Sequence, residues 1–397
     1  MPGADREPPA TGSEPGPTGA AWFRGWRARR PVRYADLRKE PNALAEGGWW
    51  GVVAEFEGAV HAWRFSDVQS SFAGARGTAR PPGAGVSEQP ASVSPMGGST
   101  ATRAPWRGPR PPAWTSSRDR TGDCSAVDAV RSAIREGLVY QANICRVLQA
   151  PLALADGAEP DAAALAAVLA AGNPAPYAGG VHVPGTASDG EAGVPPVWVV
   201  SASPELSLAV RDGYVTSRPI KGTGRTAADL TEKDRAENLM ITDLVRNDLQ
   251  RVCVPGTVEV TELLALEQHP GLVHLVSTVR GRLADASPAD AFRDLFEAAL
   301  PAGSVSGAPK SSALRLIAEL EPVPRGPYCG AIGWIDADSG DAELAVGIRT
   351  FWWREGVLRF GTGAGITWGS DPAGEWAETE LKARHLIALA SREIVGA

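Results

Sequence analysis

At 397 residues the chain exceeds the ~250–300 over which a single core keeps growing, so a two-lobed body or a body with a tail is expected. Its net charge of -7 argues against non-specific nucleic-acid binding as the main role. No charged-then-apolar leader opens it, and the longest apolar run, Ala162 to Ala171, falls well short of the ~20 residues that cross a bilayer. The expectation is a soluble cytoplasmic protein with neither nucleic acid nor membrane as partner.

In chain order, residues 1–20 are rich in Pro, Gly and Ala and read as a disordered tail. Residues 21–72 form a strand-rich N-terminal part. Arg24, Arg27, Arg29 and Arg30 within it read as a solvated, flexible flank, because the acidic remainder offers no supporting field. Residues 48–66 alternate well enough for two strands around Glu57-Gly58. From 73 to 120 the composition turns to Gly, Pro, Ser and Arg, a flexible insertion ahead of a catalytic domain at 121–397. Cys124, Cys145, Cys253 and Cys329 are scattered without a CxxC pair, which fits reduced thiols and makes a zinc site improbable.

A helix is expected from Ser125, leading into Tyr140-Gln141-Ala142-Asn143-Ile144. Val197 to Val210 reads as two strands joined at Ser203-Pro204-Glu205, and Gly213 to Ser217 as a third. Further strands are expected at 271–281, 328–336, 343–352 and 356–361, with Asp338 to Asp341 as a hairpin turn, and helices at 288–299 and 308–320. Hairpins beside runs of helix argue for an antiparallel α+β body without βαβ alternation.

The chemistry concentrates between Arg218 and Val252. Lys221 stands in a turn bounded by Pro219 and Gly222, followed by Thr223. The next helix opens with Thr231 and Asp234 at capping-box spacing, and Ala236, Leu239, Met240 and Leu244 give it an apolar stripe. Asp234 and Glu237 lie three apart on one face. Exposed first-turn acids often serve only the helix dipole, but a second copy occurs near the C-terminus. There Asp371 is a plausible N-cap, Pro372 fits the first helical position, Glu375 and Glu378 are three apart, and Lys382 follows by one turn. Leu381, His385, Leu386 and Leu389 supply that helix with an apolar back. Two helices each presenting an acid pair could supply oxygen ligands to Mg²⁺, which takes one or two protein carboxylates and fills its octahedron with water or substrate.

Two motifs are rejected. Residues 301–312 echo a phosphate loop, but Pro309 precedes the lysine and the glycine spacing fails. Gly361-Thr362-Gly363-Ala364-Gly365 echoes a dinucleotide fingerprint, yet Ile366 stands where the third glycine belongs. Its backbone N–H groups could still hold a carboxylate.

PIKGT, KDRAENLMITDLVRNDLQRV, HLVS, GSVSGAPK, YCGAIG, GIRT and SDPAGEWAETELKA, in that order, resemble the chorismate-utilising enzymes. That family includes anthranilate synthase large subunits, aminodeoxychorismate synthase synthetase subunits, isochorismate synthases and salicylate synthases. The resemblance covers roughly Ala126 to the C-terminus. It implies a four-layer α/β/β/α sandwich of two stacked, mostly antiparallel sheets with outer helices, like anthranilate synthase large subunits, and an active site between the halves. By resemblance Glu237 and Glu378 ligate Mg²⁺, with Asp234 and Glu375 holding its waters. Arg349, Tyr328 and the Gly363-Ala364-Gly365 backbone take the enolpyruvyl carboxylate, Thr223 lines the substrate site, and Lys382 adds charge near the metal.

Lys221 divides the family, because a lysine in this turn resembles the aminodeoxychorismate synthase (para-aminobenzoate) type. It implies a nucleophile that expels the C4 hydroxyl of chorismate before ammonia displaces it. Bringing an ammonium from pKa about 10.4 toward 7 takes roughly 4–5 kcal/mol. Glu205 matches the family's acid/base carboxylate and His274 its active-site histidine. Gln141 stands where the isochorismate and salicylate enzymes carry a lysine base. No glutamine-hydrolysing segment is visible, which implies a separate glutaminase subunit. The alternatives are anthranilate, isochorismate or salicylate chemistry, or a silent relative that only binds. Trp368, just after the glycine turn, is a bulky departure that could narrow the pocket.

Overall fold

The computed structural model describes residues 19–71, 105–154, 157–185, 194–269, 272–285 and 287–391. The expected tail and most of the expected insertion lie outside them. From 105 onward the chain lies on the body: Trp106 is buried, its indole donating to Ala390 O at 2.7 Å.

Among the described residues eighteen strands join in one antiparallel network with two runs. The first contains β2 (Trp26–Asp36), β3 (Trp49–Ala54), β4 (Val60–Ser70), β9 (Leu206–Arg211), β10 (Tyr214–Arg218), β11 (Ile220–Gly224), β12 (Glu259–His269), β13 (Leu272–Arg282), β15 (Ala331–Asp336) and β16 (Asp341–Val346). The second contains β5 (Thr115–Ser116), β6 (Gln141–Pro151), β7 (Tyr177–Val183), β8 (Val197–Ser203), β14 (Gly307–Ala308), β17 (Thr350–Arg354) and β18 (Val357–Ile366). β1 (Ala20–Phe23) pairs with both β2 and β7 and so links them.

The helices are α1 (Arg120–Arg135), α2 (Ala162–Gly172), α3 (Glu232–Gln250), α4 (Pro288–Ala299), α5 (Lys310–Leu320) and α6 (Pro372–Ala390). The cores give the layering. One buried cluster unites Trp49, Val53 and Trp334 of the first run with Ile144, Val181 and Val199 of the second. Another packs Ile241, Val245 and Leu249 of α3 and Phe292 and Leu295 of α4 on the outer side of the first run. A third packs Leu165 of α2 and Leu386 and Leu389 of α6 on Trp198, Phe351 and Phe360 of the second. Helix, sheet, sheet, helix is the order the resemblance implied.

Several local expectations change. The buried face of α3 is Asn238, Ile241, Thr242, Val245, Asp248 and Leu249, whereas Ala236 is exposed and Leu239 is 45% exposed. Apolar spacing misled because Asn238 and Thr242 are satisfied inside: Asn238 Nδ2 donates to Leu275 O at 2.9 Å and Thr242 Oγ1 donates to Asn238 O at 2.7 Å. On α6, Leu386 and Leu389 are buried, but Leu381 is 67% exposed and His385 sits outside, its ring meeting Gly172 O. The basic cluster is a β1–β2 hairpin instead of a flexible flank, with Arg27 opposite Trp22 and Arg29 opposite Ala20. The expected strand at 343–352 breaks at 347–349, between β16 and β17.

Candidate active site

Lys221 lies on β11, in the register shift between the Ile220↔Val276 and Thr223↔His274 pairs, so a bulge replaces the expected turn. Gly222 has φ +90°, and a Cβ there would stand 2.8 Å from Asp234 Cβ, so only glycine lets β11 approach the start of α3 so closely. Asp234 closes the expected capping box: its Oδ2 accepts from Thr231 N at 2.8 Å and from Thr231 Oγ1 at 2.6 Å, while its own N donates back to Oγ1.

From the other run, β18 presents Gly361, Gly363 and Gly365 on one face. β17 pairs with β18 only up to Phe360, so from Gly361 onward β6 is its one strand partner among the described residues. A Cβ at Gly365 would sit 2.5 Å from Gln141 Nε2 and 3.7 Å from Lys221 Nζ. The lysine, the glutamine and the glycine strand therefore meet where the two runs face each other. Gln141 is buried, and its Oε1 has no hydrogen-bond partner.

Burial pulls the Lys221 ammonium below its usual range, opposed by the charges of Glu205, Glu237 and Glu378. Glu205, in the β8–β9 turn, is 5% exposed. Burial pushes its carboxyl up, opposed by hydrogen bonds from Ser304 and the Ile220 N–H and by the Lys221 charge. It is therefore no exposed turn cap. His274 on β13 is buried, and its Nδ1 is 2.9 Å from Thr223 Oγ1.

Helices α3 and α6 bring their acids to the same place from opposite runs. Burial raises Glu237, and the charges of Asp234 and Glu378 add to it. Burial also raises Glu375, which is hydrogen-bonded to Ser370 and feels Glu378. Two lysines answer these charges: Lys382 Nζ is 2.6 Å from Glu378 and donates to Gly363 O at 3.2 Å, and Lys233 is 3.8 Å from Glu237. Among the described residues no three acid, imidazole or thiol groups gather as a metal cluster. Of the four expected acids, Asp234 also closes its own helix cap through Oδ2. Glu237 and Glu378 do fit a hard cation, being carboxylates from two elements that burden each other in a partly enclosed site, and two is the number Mg²⁺ commonly takes from protein.

The remaining expected residues come from the approach to β15, the β16–β17 break and β18 with the turn after it. Tyr328 is buried against Gly361, among Cys145, Cys329 and Arg325. Arg349 lies in the β16–β17 break with φ +51°, half-buried, and burial pulls its guanidinium down with no carboxylate among the described residues acting on it. Ala364 is buried on the opposite face of β18, so only its backbone can serve the site. Trp368 is 57% exposed, with the Arg135 guanidinium 5.8 Å from its ring centre, and does not fill the pocket. Ser304 lies in the GSVSGAPK string that carries the resemblance, and from sequence it received no role of its own.

The family described as chorismate binding enzyme matches residues 78–388. The chain belongs to this family. Anthranilate synthase component 1 of Saccharolobus solfataricus is 44% identical over 201 residues, 48% of this chain and 47% of that protein. Aminodeoxychorismate synthase component 1 of Salmonella typhimurium is 36% identical over 302 residues, 72% of this chain and 62% of that protein. The chain spans about half the length of the first of these relatives. In fold it is similar to anthranilate synthase component I from Streptococcus pneumoniae, with a TM-score of 0.70 and 22% identity over 96% of this chain and 95% of that one. A putative 2,3-dihydroxybenzoate-specific isochorismate synthase from Bacillus anthracis gives 0.69 and 21%, over 94% and 96%. No helix among the described residues is long and apolar enough to cross a membrane.

Proposed function

We propose that this chorismate-binding chain aminates chorismate in an Mg²⁺-dependent reaction, with ammonia from a separate glutaminase subunit, and that Lys221 is its nucleophile. The observation that carries the reading is the place of the Lys221 amine: against Gly365 and Gln141, with burial favouring its neutral form. Mg²⁺, held by Glu237 and Glu378, supplies positive charge for a substrate carboxylate in an acid-lined site. The Lys221 lone pair attacks the ring, the C4–O bond breaks, and Glu205 gives the departing oxygen its proton. Ammonia then forms the C4–N bond and releases the lysine, leaving the enolpyruvyl group in place. Arg349 suits the second carboxylate, being a cation on which no acid among the described residues acts.

A second reading, conversion of the anthranilate type, is favoured by the higher identity to anthranilate synthase component 1, and the comparisons lean toward it. There His274, held by Thr223, would serve the loss of pyruvate. Mass analysis of the product from chorismate, ammonium and Mg²⁺ separates them. An amino-diene retaining enolpyruvate supports the lysine reading, anthranilate plus pyruvate the second, and untouched chorismate defeats both.

A further inference from the structure

We propose that Arg146 is a positioning residue for the proposed metal site: from beneath α6 it fixes the turn that carries Glu378. This rests on the reading of Glu237 and Glu378 as Mg²⁺ ligands given above. Arg146 stands on β6 opposite Thr362 of β18 and is 2% exposed. Its Nε and Nη2 donate to Thr379 Oγ1 at 3.4 and 3.2 Å, and Nη2 also meets the Glu380 carboxylate. Its Nη1 donates to Ser116 Oγ of β5 at 3.1 Å. The guanidinium carbon lies 4.0 Å from the centre of the Trp376 ring. One buried cation thus grips residues 376, 379 and 380, the helical turn that contains Glu378.

Thr379 passes this grip to the glycine strand. Its Oγ1 donates to Trp376 O at 2.9 Å, and its own carbonyl accepts from Thr362 Oγ1 at 3.1 Å. Apolar packing does not hold the same stretch. The buried residues in the first half of α6 are Glu375 and Thr379, whereas Ala383, Leu386, Leu389 and Ala390 anchor its far end. A helix pinned only at that end is free to turn about its axis, and a turn by one residue swings a side chain through about 100°. Such a swing would carry Glu378 away from a cation shared with Glu237, and Mg²⁺ tolerates little departure from an octahedron. Arginine suits the task because its planar fork reaches two acceptors while its face stacks on a ring. Its contacts on α6 are with residues 376, 379 and 380, so it acts through the helix.

Charge and geometry pull in opposite directions here. Removing a positive charge near the site would by Coulomb's law alone strengthen Mg²⁺ binding, so a loss of affinity reports the lost grip.

The test is isothermal titration of the full chain with Mg²⁺ alone, for wild type, Arg146→Met, Arg146→Lys, Thr379→Val and Glu378→Gln, with urea unfolding of each without metal. Arg146→Met should bind Mg²⁺ about tenfold more weakly, and Thr379→Val and Arg146→Lys, which keeps the charge but loses the fork, about two- to threefold. Saturating Mg²⁺ should return chorismate turnover by Arg146→Lys to within about twofold of wild type, a rescue that general loss of folding does not give. Unchanged or tighter Mg²⁺ binding by a folded Arg146→Met, beside a loss in Glu378→Gln, overturns the proposal and leaves the metal reading standing. Should Arg146→Met not fold, unchanged affinity in both Arg146→Lys and Thr379→Val overturns it. Equal affinity in wild type and Glu378→Gln defeats the metal reading itself, and this proposal with it.

Discussion

Lys382 ties Glu378 to the glycine strand: its ammonium is 2.6 Å from that carboxylate and donates to Gly363 O at 3.2 Å. A lysine thus balances the acid proposed to hold Mg²⁺, as Lys233 does for Glu237 across 3.8 Å. A cation must compete with these ammonium groups for the same oxygens, so metal and lysine contacts are linked.

This competition predicts opposite effects on metal affinity. Glu378→Gln should weaken Mg²⁺ binding at least about tenfold, whereas Lys382→Met should strengthen it about two- to fivefold by freeing the carboxylate. Isothermal titration with Mg²⁺ alone reads both. Equal affinity in wild type and Glu378→Gln would remove Glu378 as a ligand.

Replacing Lys221 with alanine should lower amination at least about a hundredfold while circular dichroism stays unchanged. Rapid-quench intact-mass analysis should show a transient substrate adduct on the wild type and none on the variant. Near-wild-type turnover of Lys221→Ala would transfer the assignment to the anthranilate-type reading.

The pH dependence has a definite sign. Burial lowers Lys221, so between its lowered folded value and its ordinary pKa the unfolded chain binds a proton the native one lacks, and native stability rises with pH across that window. The neutral amine grows over the same range, and amination should accelerate as pH climbs through it. Glu205 is raised, so its contribution is present at low pH and lost as pH rises through its folded value. Glu205→Gln should therefore gain about 1–3 °C in Tm over wild type at pH 8 and almost nothing at pH 4, measured by differential scanning fluorimetry. A gain of the same size at both pH values contradicts the buried-carboxylate argument.

Gly365→Ala tests the meeting of the two runs. Its methyl would lie 2.5 Å from Gln141 Nε2, so the glutamine must shift beside the amine. We expect at least about a tenfold loss in kcat/KM with modest loss of Tm, since small displacements at a reacting centre are costly. Kinetics close to wild type would place the reaction elsewhere.

Asn238→Leu tests the polar seam under α3. Asn238 Nδ2 donates to Leu275 O at 2.9 Å, and its Oδ1 accepts from Ser277 Oγ at 2.5 Å. Leucine strands both partners in the core, and a loss of about 2–3 kcal/mol is expected from chemical denaturation. Under 0.5 kcal/mol, roughly a surface change, would show that water repairs the seam.

Much of the fold was legible where one local rule sufficed. The hairpin around Glu57-Gly58, the strands on either side of Ser203-Pro204-Glu205, the helix at 288–299 and the caps at Thr231 and Asp371 follow from alternation and capping chemistry. β12 went unread, and α3 turns only half of its expected stripe inward: Met240 and Leu244 pack against the core, whereas Ala236 and Leu239 are exposed. Its buried side includes Asn238 and Thr242, whose polarity counts against burial until the partners from β13 and the preceding turn are known.

By itself the sequence determined the order of motifs, the acid pairs on two helices, the lysine between Pro219 and Gly222, and hence the family. Tertiary structure alone decided which of these groups share a space. Lys221 and Gly365 are separated by most of the C-terminal half of the chain and meet only because the two sheet runs stack. It also decided that Asp234 caps its own helix. Local patterns report a residue's own helix or strand, whereas burial, pKa and hydrogen-bond partners are set by the element packed against it.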